Sequence, residues 1–182
     1  MMRSMNIWGI IRSAESRVRA ATLGMPGARV DRETKITVKN GNIHAGPGLV
    51  VGKGTHVAVI GTSEAPALMS VGSRTRIGAR SRINVRSGLT IGDNCEFSWL
   101  VQILDTDFHT LTYADGRTSD PTKPIKIGSH VLIGTGAIIL KGVTIGDNAV
   151  IGAGSVVSRD VPANVVVSGN PAEIRGGIRG WK

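Results

Sequence analysis

The chain is short of several things, and each shortage excludes something. It has one cysteine, Cys95, among 182 residues. No disulfide can form within it, which fits a reducing compartment. Aromatic residues are only 3% of the total, so a core must be built from Ile, Val, Leu and Ala. No run approaches the roughly 20 apolar residues that a membrane span needs. The apolar stretch at residues 7–11 is too short for a signal peptide and is cut off by Arg12. These absences lead us to expect a cytoplasmic protein. Acidic side chains are also outnumbered, 13 against 22 Lys and Arg, for a net charge of +9. That excess favours an anionic partner. No RNP-type aromatic motif, zinc-finger spacing or helix-turn-helix pattern accompanies it, so nucleic acid is not the expected partner.

What the sequence does have is a repeat. Segments that open on an apolar residue begin at Val71, Ile77, Ile83, Ile91, Phe97 and Ile103. They resume at Ile127, Ile133, Ile139, Ile145, Ile151 and Val157. The step is six, apart from two extra residues (Leu89, Thr90) and one long interruption. The fifth position of each hexad is small or β-branched, from Thr75 and Ser81 through Cys95 and Ala137 to Val161, with Asp107 as the exception. An amphipathic helix would repeat every 3.6 residues and a half-buried strand every 2. Six fits a short strand plus a turn, wound into a solenoid. Each hexad offers one large and one small inward side chain, too little to bury alone, so stacking is required. Glycine recurs at position two, where a corner needs close approach or an unusual backbone conformation.

Outside the repeat, Ile7, Ile11, Ala14, Val18 and Ala21 recur at three- and four-residue steps, with Arg12, Arg17 and Arg19 on other faces. This predicts an amphipathic helix ending near Gly24, either a cap over the first coil or a peripheral contact with a membrane surface. The expected organisation is a helix and linker over 1–30, a solenoid over 31–168 with a loop extruded at about 105–124, and a basic tail over 169–182. The recognisable pattern runs from about 36 to 172, and is degenerate over 36–70, where only Val51-Gly52 is clear.

Residues 127–162 resemble the hexapeptide-repeat acyltransferases. That resemblance implies an all-β fold, a left-handed triangular parallel β-helix with three hexads per coil. It also implies an acetyl-CoA-dependent O-acetyltransferase working as a homotrimer, with active sites between subunits.

The hexad pattern stops at Leu104-Asp105-Thr106-Asp107-Phe108-His109. Loops on a rigid scaffold are favoured places for function, and a histidine ordinarily titrates near pH 6.5, which suits a general base. The stretch from Trp99 to His109 is similar to the active-site segment of sugar and polysaccharide O-acetyltransferases of this family. By that resemblance His109 deprotonates the acceptor hydroxyl, which attacks the thioester directly. An aspartate would orient the imidazole, and Asp105 and Asp107 both qualify. Trp99 reads either as an aromatic at a subunit contact or as a wall of the acceptor site. The donor positions carried over are Thr135, Ala153, Ser158 and Arg159, with Arg175 in the basic tail, where small residues admit the pantetheine arm and cations pair with phosphate. Ser168-Gly169-Asn170-Pro171-Ala172 matches the family's Gly-x-Pro-Ala signature. One departure is Leu132, where the family often has Trp.

Arg74, Arg80 and Arg86 lie six apart, as do Arg76 and Arg82, a basic girdle around the solenoid. Cys95 sits at an inward small position and reads as packing. The histidines lack the companion motif of the zinc-binding carbonic anhydrases on this fold, so no metal is expected. The leading expectation is acetyl transfer to a saccharide hydroxyl in surface-polysaccharide assembly. N-acylation of an amino sugar is the second, and a non-enzymatic solenoid scaffold the third.

Overall fold

The computed structural model describes Met25 and residues 27–182; the expected N-terminal helix lies outside them. Among the described residues nineteen strands form three sheets. The first face stacks β1 (Arg29–Val30), β4 (Val50–Val51), β7 (Arg76–Ile77), β10 (Glu96–Phe97), β13 (Leu132–Ile133), β16 (Val150–Ile151) and β18 (Val165–Ser168). The second stacks β2 (Lys35–Lys39), β5 (His56–Ile60), β8 (Arg82–Val85), β11 (Gln102–Leu104), β14 (Ile138–Leu140) and β17 (Val156–Val157). The third stacks β3 (Gly41–Ala45), β6 (Ala67–Val71), β9 (Gly88–Ile91), β12 (Ile125–Ile127) and β15 (Thr144–Ile145). The chain visits the faces in strict rotation, and these neighbours pair in parallel. This is a three-sided parallel β-helix.

Register explains why the period is visible. Phe97 pairs with Ile77 and Ile133, and Ile103 with Ile83 and Ile139. Each first-position residue thus packs on its counterpart one coil away, about 4.8 Å along the axis. All twelve first positions are buried, as are most of the fifth. Burying one such aliphatic side chain is worth about 1.5–3 kcal/mol. Where the fifth position is polar, its hydroxyl is satisfied inside: Thr55 Oγ1 donates to the Gly78 carbonyl and Thr75 Oγ1 to that of Gly92, both at 3.0 Å. Burial pushes the Cys95 thiol up, and it donates to the Gly128 carbonyl at 3.1 Å.

The two reasons offered for glycine divide between two positions. At position two the need is close approach: a Cβ on Gly78 would lie 2.2 Å from the Ser98 carbonyl oxygen, and one on Gly134 2.5 Å from the Ala153 nitrogen. The left-handed conformation falls instead on position four, at Arg74, Arg80, Asn94, Leu100, His130 and Asn148 as well as Gly136 and Gly154. The degenerate stretch is solenoid too. Its strands β2, β3, β5 and β6 are five residues long, so wider faces blur the six-residue step.

The tail does not trail into solvent. β19 (Glu173–Gly177) runs antiparallel along β18. Beyond it the Trp181 ring stacks on His130 at 4.3 Å, and its Nε1 donates to the His130 carbonyl at 2.8 Å.

Candidate active site

All the expected site residues but Arg175 fall on the borders of one face, the second. Its edge with the first face carries the third position of successive hexads. Backbone bonds tie these residues coil to coil: Leu100 N donates to Ala79 O, Gly136 N to Trp99 O, and Gly154 N to Thr135 O. Ala79, Trp99, Thr135 and Ala153 therefore form one column. Trp99 is 64% exposed, so its ring stands out from the scaffold beside the two donor positions. Thr135 Oγ1 shares a 2.6 Å hydrogen bond with Ser98 Oγ.

The edge with the third face is where the loop leaves. Asp105 lies there at 0% exposure, and its carboxylate accepts four hydrogen bonds. The donors are the backbone nitrogens of Arg86, Ser87 and Gly88, at 2.7, 2.7 and 2.9 Å, and the Ser87 hydroxyl at 2.9 Å. A buried carboxylate held by so many donors is a structural anchor: it fixes the 86–88 turn to the root of the loop.

The loop itself is a hairpin arm. Thr106 bridges Thr122 and Thr112 bridges Thr118. Asp107 N donates to Pro121 O and Lys123 N to Asp105 O. At the tip Arg117 pairs with Asp115 at 2.7 Å and holds its carboxyl below the usual range.

Two contacts hold Phe108, the residue before His109. The Phe108 nitrogen donates to Thr106 Oγ1 at 2.9 Å. Phe108 has φ of 63°, unusual for a bulky side chain. Its ring lies under the Arg86 guanidinium, 5.7 Å from the centroid, a cation–π contact. His109 next to it is exposed. Asp107 pairs with Lys141 Nζ at 2.6 Å, and that ammonium also donates to the Asp120 carbonyl. Neither Asp105 nor Asp107 hydrogen-bonds the His109 ring in the single chain: one carboxylate holds the 86–88 turn, the other Lys141.

Ser158 and Arg159 lie exposed on the same edge. Val156 and Val157 pair with Ile138 and Ile139, so Arg159 stands one coil above Lys141, beside the loop root. Arg175 is apart from them. Its guanidinium bonds the hydroxyl and carbonyl of Ser168, both at 2.9 Å, and pairs with Glu173 at 3.7 Å. Leu132 faces outward on the first face.

Between these two edges the second face presents Gln102, Leu104, Ile138, Leu140 and Val156, all half-buried. The result is a largely apolar strip, with Trp99, Thr135 and Ala153 along one border and the His109 arm, Lys141 and Arg159 along the other. Sequence reasoning missed Lys141, Arg86 and Thr106. Only Lys141 left a trace, as a lone cation in Ile-Ile-Leu-Lys-Gly. Among the described residues, no group of three or more His, Cys, Asp or Glu could hold a metal ion. No helix among them is long and apolar enough to cross a membrane.

The bacterial transferase hexapeptide family (six repeats) matches residues 124–159, and the hexapeptide repeat of succinyl-transferase matches 69–96. The chain carries hexapeptide-transferase repeats. Over 108 residues it is 44% identical to nodulation protein L of Rhizobium meliloti, covering 59% of each chain. Over 52 residues it is 64% identical to the 2,3,4,5-tetrahydropyridine-2,6-dicarboxylate N-acetyltransferase of Lacticaseibacillus casei, covering 29% of this chain and 22% of that one. The matched stretches thus span well under two thirds of these relatives' lengths.

Among solved structures, the polySia-specific acetyltransferase NeuO aligns with a TM-score of 0.61 at 24% identity, over 86% of this chain and 78% of that one. AntD, an N-acyltransferase from Bacillus cereus in complex with dTDP and 3-hydroxybutyryl-CoA, aligns with a TM-score of 0.68 at 20% identity, over 84% and 81%. The fold is a left-handed parallel β-helix of the kind these repeats build.

Proposed function

We propose that this protein transfers an acetyl group from acetyl-CoA to a hydroxyl of a saccharide, with His109 as general base. One observation carries the reading. Apart from Arg175, the residues assigned to donor and base by sequence motif, far apart in the chain, border a single largely apolar strip on the second face. Such a strip suits a pantetheine arm, and Arg159 beside it suits CoA phosphate. The names of similar proteins agree in kind: an N-acetyltransferase is 64% identical over 52 residues, and the aligned structures are acyltransferases, one of them holding an acyl-CoA.

In this mechanism the acceptor hydroxyl gives its proton to the His109 imidazole as its oxygen attacks the thioester carbonyl. The carbon–sulfur bond breaks, and the imidazolium returns the proton to the departing thiolate. A hydroxyl is too weak an acid to ionise at neutral pH, so the base must lie within hydrogen-bond reach. Asp105 and Lys141 contribute by fixing the arm's root, the latter through Asp107. The working form is a homotrimer, because one chain supplies one wall of the groove and leaves His109 exposed. Light scattering on the active protein should give three times the chain mass; an active monomer would remove this part of the reading.

The deciding assay follows thiol release from acetyl-CoA against a panel of sugars and amino sugars. Release with hydroxyl acceptors is the expected result. Release only with amino sugars would move the assignment to N-acylation, the reading that the 64% identical segment favours. Surface-polysaccharide assembly in the cytoplasm is the setting we infer for such an acceptor.

A further inference from the structure

The second face changes character below the loop. Its outward positions on β2, β5 and β8 carry Lys35 and Thr37, His56 and Ala58, then Arg82 and Asn84. Lys35 pairs in register with His56, and His56 with Arg82. Two cations and an imidazole therefore stand in one column, spanning about 10 Å at the usual strand spacing. Thr37, Ala58 and Asn84 form the parallel column beside it. Ala58, the smallest side chain, lies in the middle coil. The taller neighbours around it leave a cavity of about 180 Å³ lined by Lys35, Thr37, His56, Val57, Ala58, Arg82 and Asn84.

The lining is chemically one-sided. It supplies an ammonium, a guanidinium, an imidazole, a hydroxyl and an amide, with no carboxylate among its residues. The cations are also uncommitted. The ion pairs among the described residues involve Lys53, Arg76, Arg117, Lys141 and Arg175, and neither Lys35 nor Arg82. Stacking like charges on adjacent strands is unfavourable by itself, so the column is a local cost that an oxyanion would relieve. The cavity holds about six waters' worth of volume, enough for a charged group and too little for a whole oligosaccharide. Asn84 pairs with Leu104, the residue before the loop anchor, so the cavity lies on the same face as the His109 arm and one coil below its root.

We propose that this cavity binds an oxyanion, a carboxylate or phosphate, carried by the acceptor, so that the substrate is an anionic saccharide whose charged group sits about one coil from the acetylated hydroxyl. The identity of the ligand as the acceptor rests on the function proposed above; the binding of an oxyanion does not.

The test uses the His56 ring as a reporter in the whole protein, by proton–nitrogen correlation spectra at physiological salt. Inorganic phosphate, glucuronate and neutral glucose are titrated separately. We expect the His56 signals to move with phosphate or glucuronate at millimolar concentration and not with glucose. The stronger of the two identifies the charged group. Arg82→Gln and Lys35→Gln should each weaken the response about ten-fold, the scale of one charge-assisted hydrogen bond.

A silent His56, or a response in both variants as strong as in the native protein, would overturn the proposal. Displacement of the anion by CoA, with a raised acetyl-CoA KM in Arg82→Gln, would assign the cavity to the donor and overturn the acceptor claim. With an active acceptor in hand, the same variants should raise acceptor KM ten-fold and leave acetyl-CoA KM alone. If no acceptor ever turns over, the function proposed above fails while the titration still reports on the cavity.

Discussion

The two halves of the second face are built on the same inward repeat and carry contrasting chemistry. From β2 to β8 the outward side chains are Lys35, Thr37, Lys39, His56, Ala58, Ile60, Arg82 and Asn84, with three cations among them; from β11 to β17 they are Gln102, Leu104, Ile138, Leu140 and Val156, with none. Inward, the halves are alike, an aliphatic ladder of Val57, Ile83, Ile103, Ile139 and Val157 in register. Folding constrains only the inward set. The outward set is free to vary along the axis, so a change of surface character partway up a uniform scaffold points to ligand and not to fold.

That division can be broken in order of expected effect. His109→Ala should lower turnover by about 10²–10⁴-fold, the usual worth of a general base. Its thermal midpoint should stay put, because the ring is exposed. Turnover close to native with the true acceptor would place the base elsewhere.

Ile139→Ala should cost about 2–5 kcal/mol of stability in a denaturant titration, through the cavity it leaves. Leu140→Ser, the adjacent residue facing outward, should cost under about 1 kcal/mol while raising acetyl-CoA KM. Similar destabilisation by both would mean that the apolar strip is structural, and the comparison would collapse.

Arg159→Ala should raise acetyl-CoA KM about ten-fold with a smaller effect on turnover. An unchanged KM in steady-state assays would show the donor bound elsewhere. The smallest effect is expected of Lys141→Met. Asp107 is exposed and the Lys141 side chain is largely covered, but an apolar Met keeps the packing of the stem, so the loss should stay at about 1 kcal/mol and the fold should hold. Release of Asp107 should loosen the arm and lower turnover by about three- to ten-fold, with acetyl-CoA KM unaltered. Loss in KM alone would make Lys141 a donor contact.

Much of the fold was legible because the solenoid writes its register into the sequence. Ile77, Ile83, Ile133, Ile139 and Ile151 mark the buried columns at a period that no helix or isolated strand shares. The strands of the first two coils were harder to read, since five-residue faces dilute the step. The borders of the site were legible through motif. Its internal wiring was not: Asp105 sits at a third position, outward by the period, yet is fully buried because the chain leaves the coil there and its carboxylate turns in to cap the 86–88 turn. Lys141 and Asp107 are 34 positions apart, and only the departure of the loop brings them together. The basic girdle of Arg74, Arg80 and Arg86 was visible as spacing. The column of Lys35, His56 and Arg82 was not, because it runs along the axis, across coils of unequal length.

The antiparallel β19 has a consequence for the protein's behaviour in a crowded solution. A parallel solenoid ends in open strand edges, each a template for another chain. Here β19 lies along β18 in the wrong direction for propagation. The segment at 169–172 crosses β17, with Val156 N bonded to Gly169 O and Ala172 N to Val156 O. Val161 bridges Ile145 over the third edge. Two of the three growing ends are therefore covered by the chain's own C-terminal segment, and the Trp181 stack on His130 latches it in place. Removing residues 170–182 should uncover both and favour end-to-end association, which light scattering on the truncated chain would detect.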